Sequence, residues 1–178
     1  MKKDLGVEPL LLSELLSTFP EHRFMIDMKN GGAASLVARS VKDAHAEDRV
    51  SIGSFRHDHT KAALEMIGKP RDICNRVGVL GYGALALLQI GHPLGRRYLE
   101  QSGATDLEMH HRLLTKTIVE QAHEAGVHVV VWPPNTEETI NRAYDIGSEA
   151  VMSDDIKLLK EVLLEKSPAN KSVNFNSD

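Results

Sequence analysis

Residues 127–153 read VHVVVWPPNTEETINRAYDIGSEAVMS, and this stretch decides the fold class. Val127–Trp132 is an apolar run of the length of a strand, and it ends in a polar turn that contains two prolines. The spacing predicts a helix over 139–146 that Gly147 ends, and a second strand over Glu149–Ser153. A strand, a helix and another strand in succession are typical of a parallel βαβ unit.

The rest of the chain repeats this alternation of strands and helices. Further strands are predicted over 24–28, 50–55 and 73–80. Helices are predicted over Pro9–Phe19, Ala33–His45, Thr60–Ile67, Ala84–Ile90, Thr117–Ala125 and Ile156–Leu164. The residues predicted to cap helices are Ser13, Thr115, Asn135 with Glu138, and Asp154 with Asp155. The predicted apolar stripe of the second helix is Leu36, Val37, Val41 and Ala44.

This order of elements predicts an α/β fold, and we favour a (β/α) TIM-type barrel of five to six strand–helix units. A closed barrel needs eight strands over roughly 250 residues, so we predict an incomplete barrel. The alternatives are an open α/β sheet and a barrel that a second chain completes. No Gly-x-Gly-x-x-Gly follows a strand, which disfavours a dinucleotide-binding fold. We expect one barrel-like domain over 8–166, with flexible ends at 1–7 and 167–178.

Composition narrows the class of function. The chain has 178 residues, a formal net charge of −4 and a pI near 6.1, which argues against a nucleic-acid-binding protein. One cysteine, Cys74, excludes an internal disulfide framework and fits a reducing compartment. The N-terminal residues are charged and no apolar segment with a cleavage site follows, so we expect no signal peptide and a cytoplasmic location.

One long stretch, residues 77–95, contains no Asp, Glu, Lys or Arg. Its length approaches that of a membrane span. Five glycines, Gln89, His92 and Pro93 interrupt it. We therefore interpret it as a buried strand, a short helix and a loop, and we expect no membrane contact.

Asp27 and Lys29 are the first candidates for chemistry. Residues two apart on a strand share a face, so both side chains point the same way at the carboxyl end of the predicted strand. Barrel enzymes build their sites at that end. A carboxylate there can bind Mg²⁺ or Ca²⁺, and a lysine beside it can bind a phosphate. The alternative interpretation is a local ion pair at the end of a strand.

Trp132 and the histidines are weaker candidates. Trp132 ends its strand and either lines a pocket or packs as an aromatic residue of the core or rim. Of the nine histidines, His57 with His59 and His110 with His111 resemble metal motifs, but no third ligand follows at a recognised spacing. We interpret them as solvated loop and cap positions. No catalytic residue is identified from the sequence.

Several short motifs, taken in order, resemble the glycerophosphodiester phosphodiesterase family. Its Pro-x-Leu-x-Glu-Leu-Leu helix, its strand ending Ile-Glu-x-Lys and its strand ending Ser-Phe are similar to residues 9–16, 26–29 and 54–55. Its Ala-His-x-x-Gly helix end, Val-x-x-Trp-x-x-Asn strand and Gly-x-Asp-x-x-x-Thr-Asp-x-Pro element are similar to residues 122–126, 129–135 and 147–156. The resemblance covers about residues 9 to 164.

This resemblance implies a (β/α)₈ barrel that hydrolyses small phosphodiesters such as glycerophosphocholine with the help of Mg²⁺ or Ca²⁺. Asp27 stands where the family has a metal-binding Glu. The resemblance further implies that Lys29 holds the phosphate and that Trp132 lines the pocket for the glycerol or alcohol.

The family's His-Arg pair, its Glu-x-Asp metal pair and its second catalytic histidine have no counterpart here. We therefore expect a chain that lacks catalytic strands and turns over weakly or not at all. Two alternatives stay open. One is a non-catalytic half-barrel that associates with itself or with a partner through open sheet edges, and the other is an unrelated α/β enzyme that uses Asp27.

Overall fold

The computed structural model describes residues 8–54, 56–68, 73–76 and 79–166. These residues form two compact units. The first contains the described residues up to Arg76 together with Gly103–Thr105, and the second contains Val79–Ser102 and the described residues from Asp106 onward. The ends predicted to be flexible, 1–7 and 167–178, lie outside the described residues, and the single-domain assignment stays a prediction.

The first unit alternates helices and parallel strands. Its elements are α1 (Leu12–Thr18), β1 (Phe24–Asp27), α2 (Ala34–Asp43), β2 (Val50–Ser54), α3 (His57–Ile67) and β3 (Ile73–Arg76). β1 pairs in parallel with β2, with Asp27 opposite Gly53, and β2 pairs in parallel with β3, with Ser54 opposite Asn75. The carboxyl ends of these strands therefore lie at one edge of the sheet.

An aliphatic core holds the first unit together. Val37 and Val41 of α2 and Ile52 of β2 are buried in it. Leu36, predicted on the same stripe, is 67% exposed, so that part of the prediction is wrong. The buried face of α2 is instead formed by Ala34, Val37, Ala38 and Val41. Small alanines allow α2 to pack closely, and a leucine is not needed on that face.

The first helix starts within the predicted range Pro9–Phe19, but before the position that the predicted cap indicates. Ser13 was predicted as its N-cap, but Ser13 lies inside α1, and Leu11 is the N-cap. The Glu14 carboxylate accepts a hydrogen bond from the Leu11 backbone N–H at 3.0 Å, which satisfies a donor at the helix start. At the carboxyl end of α1, the Arg49 guanidinium donates hydrogen bonds to the carbonyl oxygens of Leu16, Phe19 and His22.

The second unit begins with two helices and continues with three parallel strands. Its elements are α4 (Val79–Gln89), α5 (Pro93–Ser102), β4 (Ala104–His110, of which Asp106–His110 belong to this unit), α6 (Lys116–Glu124), β5 (His128–Trp132), α7 (Glu137–Ile146), β6 (Ala150–Val151) and α8 (Ile156–Lys166). β4 pairs with β5 and β5 pairs with β6, both in parallel. In this register His110 lies opposite Trp132.

Most helix caps of the second unit follow the sequence. The Thr115 hydroxyl accepts from Ile118 N–H and the Asp155 carboxylate accepts from Leu158 N–H, as predicted. Gly147 ends α7 in the left-handed conformation, with φ at 98°. The predicted cap of α7 is wrong, because Thr136 and not Asn135 occupies that position.

The α/β class and the parallel strand–helix units are confirmed. The described residues contain six strands, two fewer than the eight of a closed (β/α)₈ barrel. α5 and β4 are not among the predicted elements, and the uncharged stretch forms α4 with the start of α5. Within the described ranges, no helix is long and apolar enough to cross a membrane.

Gly95 allows α4 and α5 to pack closely, and its substitution should be costly. A Cβ built at Gly95 would lie 2.7 Å from the Leu88 backbone nitrogen, whereas a Cβ at Gly83 would meet no atom within 4 Å. We expect Gly95→Ala to lower the free energy of unfolding by about 1–3 kcal/mol. Gly83→Ala should raise it by about 0.5–1 kcal/mol, because alanine favours the helix. Urea unfolding of both variants measures this, and equal stabilities would contradict the close packing.

Candidate functional site

Asp27 and Lys29 lie together at the carboxyl end of β1. The Lys29 ammonium forms an ion pair with Asp27 Oδ2. The Asp27 side chain is only 18% exposed, whereas Lys29 is 69% exposed. Phe24 and Ile26, on the other face of the strand, pack against the core of the first unit. The Asp27 carboxylate thus lies at the edge of the apolar core of the first unit, and the Lys29 ammonium is exposed to solvent.

The end of β2 is tied to the end of β1 by a buried hydroxyl. Ser54 Oγ donates to the Met28 carbonyl oxygen at 2.8 Å, and it also accepts from Arg56 N–H at 3.3 Å. The His59 ring lies beside it, with Nδ1 3.5 Å from Ser54 Oγ. The same ring covers Gly31, where an added Cβ would come within 2.8 Å of it. These contacts fix the loop that follows Lys29.

The nearby Asp58 has a structural explanation. Two hydrogen bonds from the Arg56 guanidinium, of 3.0 and 2.7 Å, reach its carboxylate. These bonds and the positive charge lower the pKa of Asp58 to about 2. Asp58 is therefore engaged with Arg56, and among the side chains described, Asp58 and His59 belong to no group of three that could hold a metal ion. Phe55, in the Ser-Phe motif, lies outside the described residues.

In the second unit, Trp132 and two histidines cluster at the carboxyl ends of β4 and β5. The His110 ring packs edge-on against Trp132, with 5.2 Å between ring centroids, and it lies 4.5 Å from the His111 ring. His110 Nδ1 accepts a hydrogen bond from Arg112 N–H. Trp132 Nε1 is buried, and among the described residues it has no hydrogen-bond partner. Trp132 is thus partly buried within an aromatic and imidazole cluster.

Polar side chains continue along the face of β4 that carries His110. Asp106, Glu108 and His110 alternate along the strand and so share one face. Glu108 is only 1% exposed. Asp106 pairs with His128 at the opposite end of the neighbouring strand, at 3.6 Å. Ionisable groups are costly to bury unless they are paired, and Glu108 is the most deeply buried of these three.

Asn135 joins the loops that follow β5 and β6. Its Oδ1 accepts from Ser153 Oγ and from Asp154 N–H, both at 2.9 Å. Its Nδ2 donates to Asp154 Oδ2 at 2.7 Å. The two loops are therefore held together just beyond Trp132, which explains why Asn135 does not cap α7.

The donor set available to a divalent cation is small. The part of the chain that the structure describes contains no group of three or more His, Cys, Asp or Glu placed to hold a metal ion. Mg²⁺ is often held by one or two carboxylates, with water and substrate phosphate completing its coordination shell. The Asp27 carboxylate can supply one of these ligands. The described residues thus fit a cation as a partial site, with Asp27 as a single ligand.

Comparison with known proteins identifies the family. The glycerophosphoryl diester phosphodiesterase family model matches residues 13–158, so the chain belongs to this family. A Mycobacterium tuberculosis protein named "Probable glycerophosphodiester phosphodiesterase 2" is 26% identical over 163 residues. That match covers 87% of this chain and 60% of the relative, so the chain spans about three fifths of the relative's length.

Solved structures agree with the fold. A glycerophosphodiester phosphodiesterase from Thermotoga maritima matches with a TM-score of 0.61 and 16% identity, over 92% of this chain and 75% of its own. A phosphodiesterase from Oleispira antarctica, in complex with the product sn-glycerol-3-phosphate, matches with a TM-score of 0.63 and 15% identity, over 85% of this chain and 60% of its own. At these identities the likeness establishes a shared fold.

Sequence reasoning missed some residues of the two strand-end clusters. His110 was interpreted as a solvated loop or cap position, and it does cap the short 3₁₀ helix His111–Leu113, but it is also the last residue of β4 and packs against Trp132. The alternation Asp106, Glu108, His110 was a signal that could have revealed this strand. Ser54 and His59 act through contacts with the β1 loop, and such contacts between segments leave no pattern in the sequence.

Burial of His111 should make folding stability fall with acidity. Burial, with the neighbouring His110 ring and the positive charges of Arg112 and Arg142, lowers the pKa of His111 below its usual 6.5. As pH falls through 6.5 the unfolded chain takes up a proton first, so stability decreases until the pH passes the folded pKa. We expect wild type to lose more thermal stability between pH 8 and pH 5 than His111→Gln, which cannot titrate.

Calorimetric melts of the two proteins across this range measure the difference. At pH 8 the imidazole is neutral in both states, so that measurement gives the cost of the substitution itself. Other ion pairs, such as Asp106 with His128, occur in both proteins and cancel in the comparison. Parallel stability curves would contradict the assignment.

Proposed function

We propose that this protein acts on glycerophosphodiesters such as glycerophosphocholine and, with a divalent cation, slowly hydrolyses them to glycerol phosphate and an alcohol. The expected rate is low because the family's two catalytic histidines have no counterpart in this sequence. Membership of the family supports the reaction class, and the family is generally dependent on a divalent cation. The name of the M. tuberculosis relative and the product bound by the Oleispira antarctica phosphodiesterase support the substrate class.

One observation carries the proposal to particular residues. Asp27 and Lys29 form an ion pair at the carboxyl end of β1, where the family's Ile-Glu-x-Lys motif has its acidic and basic residues. A partly buried carboxylate beside an exposed ammonium can serve a cation and a phosphate anion at the same time. An ion pair that only stabilised the fold would contribute little, since exposed pairs contribute about 0–1 kcal/mol.

In this proposal Asp27 is a ligand of Mg²⁺ or Ca²⁺, completed by oxygen atoms of the substrate and by water. The bound cation would supply Lewis-acid polarisation of the phosphoryl oxygens. The Asp27 carboxylate is fixed by β1 pairing with β2, so it is held at the strand end before a cation arrives. Aspartate is one methylene shorter than the family's glutamate, which sets the ligand back towards the strand.

Lys29 is proposed to bind the phosphate. Its side chain is 69% exposed, so the ammonium can turn from Asp27 to a phosphate oxygen once a cation pairs with the Asp27 carboxylate. Trp132 is proposed to line the pocket for the glycerol or alcohol. An indole presents a wide apolar face to the carbon skeleton and an N–H to a hydroxyl oxygen.

Removal of the Asp27 carboxylate should abolish cation-dependent turnover. We expect Asp27→Asn to lower the rate of glycerophosphocholine hydrolysis more than about 100-fold. Mutation of residues that only hydrogen-bond to metal ligands already lowers metal affinity or activity by about 10- to 100-fold. Asp43→Asn, which changes a carboxylate exposed on α2, is the matched control and should keep full activity. Release of glycerol phosphate, followed by ³¹P NMR with Mg²⁺ or Ca²⁺ added, measures both. Absence of cation-dependent product from wild type would refute the proposed activity.

Removal of the Lys29 charge should weaken phosphate binding. A hydrogen bond to a charged group is worth about 1.5–3 kcal/mol, so Lys29→Gln should weaken binding of sn-glycerol 3-phosphate by roughly 10- to 150-fold. Lys42→Gln, on the exposed side of α2, should change the affinity less than twofold. Isothermal titration calorimetry measures both variants. Equal losses in the two variants would mean that general charge, and not a phosphate contact, governs binding.

A further inference from the structure

We propose that His110 is a specificity-determining residue that donates a hydrogen bond from Nε2–H to a hydroxyl of the substrate's alcohol or glycerol group, beside Trp132. This inference rests on the proposed function and adds to it a residue that the sequence assigned to a solvated loop or cap position. Both His110 and Trp132 belong to the second unit.

The strand register places the two rings together. His110 is the last residue of β4 and Trp132 is the last residue of β5, and the two are direct partners in the parallel pairing. Side chains of directly paired residues project from the same face of a sheet. The rings meet edge-to-face, with 83° between their planes. Each ring therefore restricts the orientation of the other.

A backbone hydrogen bond determines the protonation of the His110 ring. Nδ1 accepts from Arg112 N–H at 3.2 Å, so Nδ1 carries no proton. In a neutral imidazole the proton then belongs to Nε2, which becomes a hydrogen-bond donor. The hydrogen bond at Nδ1 is the N-cap of the short 3₁₀ helix His111–Leu113, so the turn itself favours the form with the proton on Nε2.

The His110 Nε2–H donor has no partner in the described part of the chain. Within that part, the His110 side chain makes one hydrogen bond, at Nδ1. Trp132 Nε1 is buried and is also unpaired among those residues. A buried donor without an acceptor is costly, and an oxygen-rich ligand at these adjacent strand ends would satisfy it and would also accept from His110 Nε2–H.

The chemistry of the pair indicates the kind of ligand. Both donors are ring N–H groups, of the Trp132 indole and of the neutral form of the His110 imidazole, and both rings offer apolar surface. Neutral donors beside aromatic faces suit the hydroxyls and carbon skeleton of a polyol, whereas an anionic phosphate is better served by a cation such as Lys29. A site built to hydrogen-bond a hydroxyl also discriminates strongly against an analogue that lacks it.

The experiment compares two ligands that differ only in their hydroxyls. sn-Glycerol 3-phosphate and propyl phosphate are titrated calorimetrically into wild type, His110→Phe and His110→Gln in the presence of Mg²⁺. We expect wild type to prefer the glycerol compound. His110→Phe keeps an aromatic ring against Trp132 but has no donor, so this preference should fall by about 3- to 10-fold, the worth of one neutral hydrogen bond.

His110→Gln places an amide donor near the position of Nε2 and should retain part of the preference. It also tests the inference if the Phe variant does not fold. His128→Phe, at the opposite end of β5, is the matched control and should leave the preference unchanged.

Each outcome decides between the two proposals. A wild-type preference that both His110 variants leave intact overturns the role of His110 and leaves the proposed function standing. Equal binding of the two phosphates by wild type does the same. A wild type that binds neither compound overturns the proposed function and this inference together.

Discussion

Parallel pairing of neighbouring strands is the constraint on which the rest of the structure depends. Parallel strands need a crossover connection, so each strand is followed by a helix before its neighbour can pair. All the carboxyl ends within a unit then lie at one edge. In the first unit this register places Asp27 beside β2, and in the second it places His110 opposite Trp132. Residues that are 22 positions apart in the chain become direct neighbours through backbone hydrogen bonds alone.

The polar strand ends rest on aliphatic cores. Aromatic residues are 4% of the chain, so valine, leucine, isoleucine and alanine provide the buried surface. Polar links then fix the loops above these cores. Ser54 joins the end of β2 to Met28, and Asn135 joins the loop after β5 to Asp154. Rigid loops matter for a binding site, because a ligand then meets groups whose ordering cost has already been met in folding.

Much of the fold was predictable because the hydrophobic pattern is local. Val127–Trp132 gave a strand, and Thr115 and Gly147 marked helix boundaries through hydrogen bonds to nearby backbone groups. β4 was missed because its polar face, with Asp106, Glu108 and His110, hides the apolar alternation of Leu107 and Met109. Leu36 was placed on the wrong side because several registers of α2 are apolar, and only packing selects the one that is buried.

Local patterns in the sequence were enough to specify the α/β class, most of the order of strands and helices, the family motifs and the candidate residues Asp27, Lys29 and Trp132. These rest on periodicity, caps and short motifs, which act over a few residues. Contacts between distant side chains depend on the tertiary fold. The fold places the His59 ring over Gly31, the His110 ring against Trp132, and the Asn135 amide in a hydrogen bond with Asp154. The physical reason is that strand register and helix packing are collective properties of the folded chain, whereas a local pattern specifies only the element to which a residue belongs.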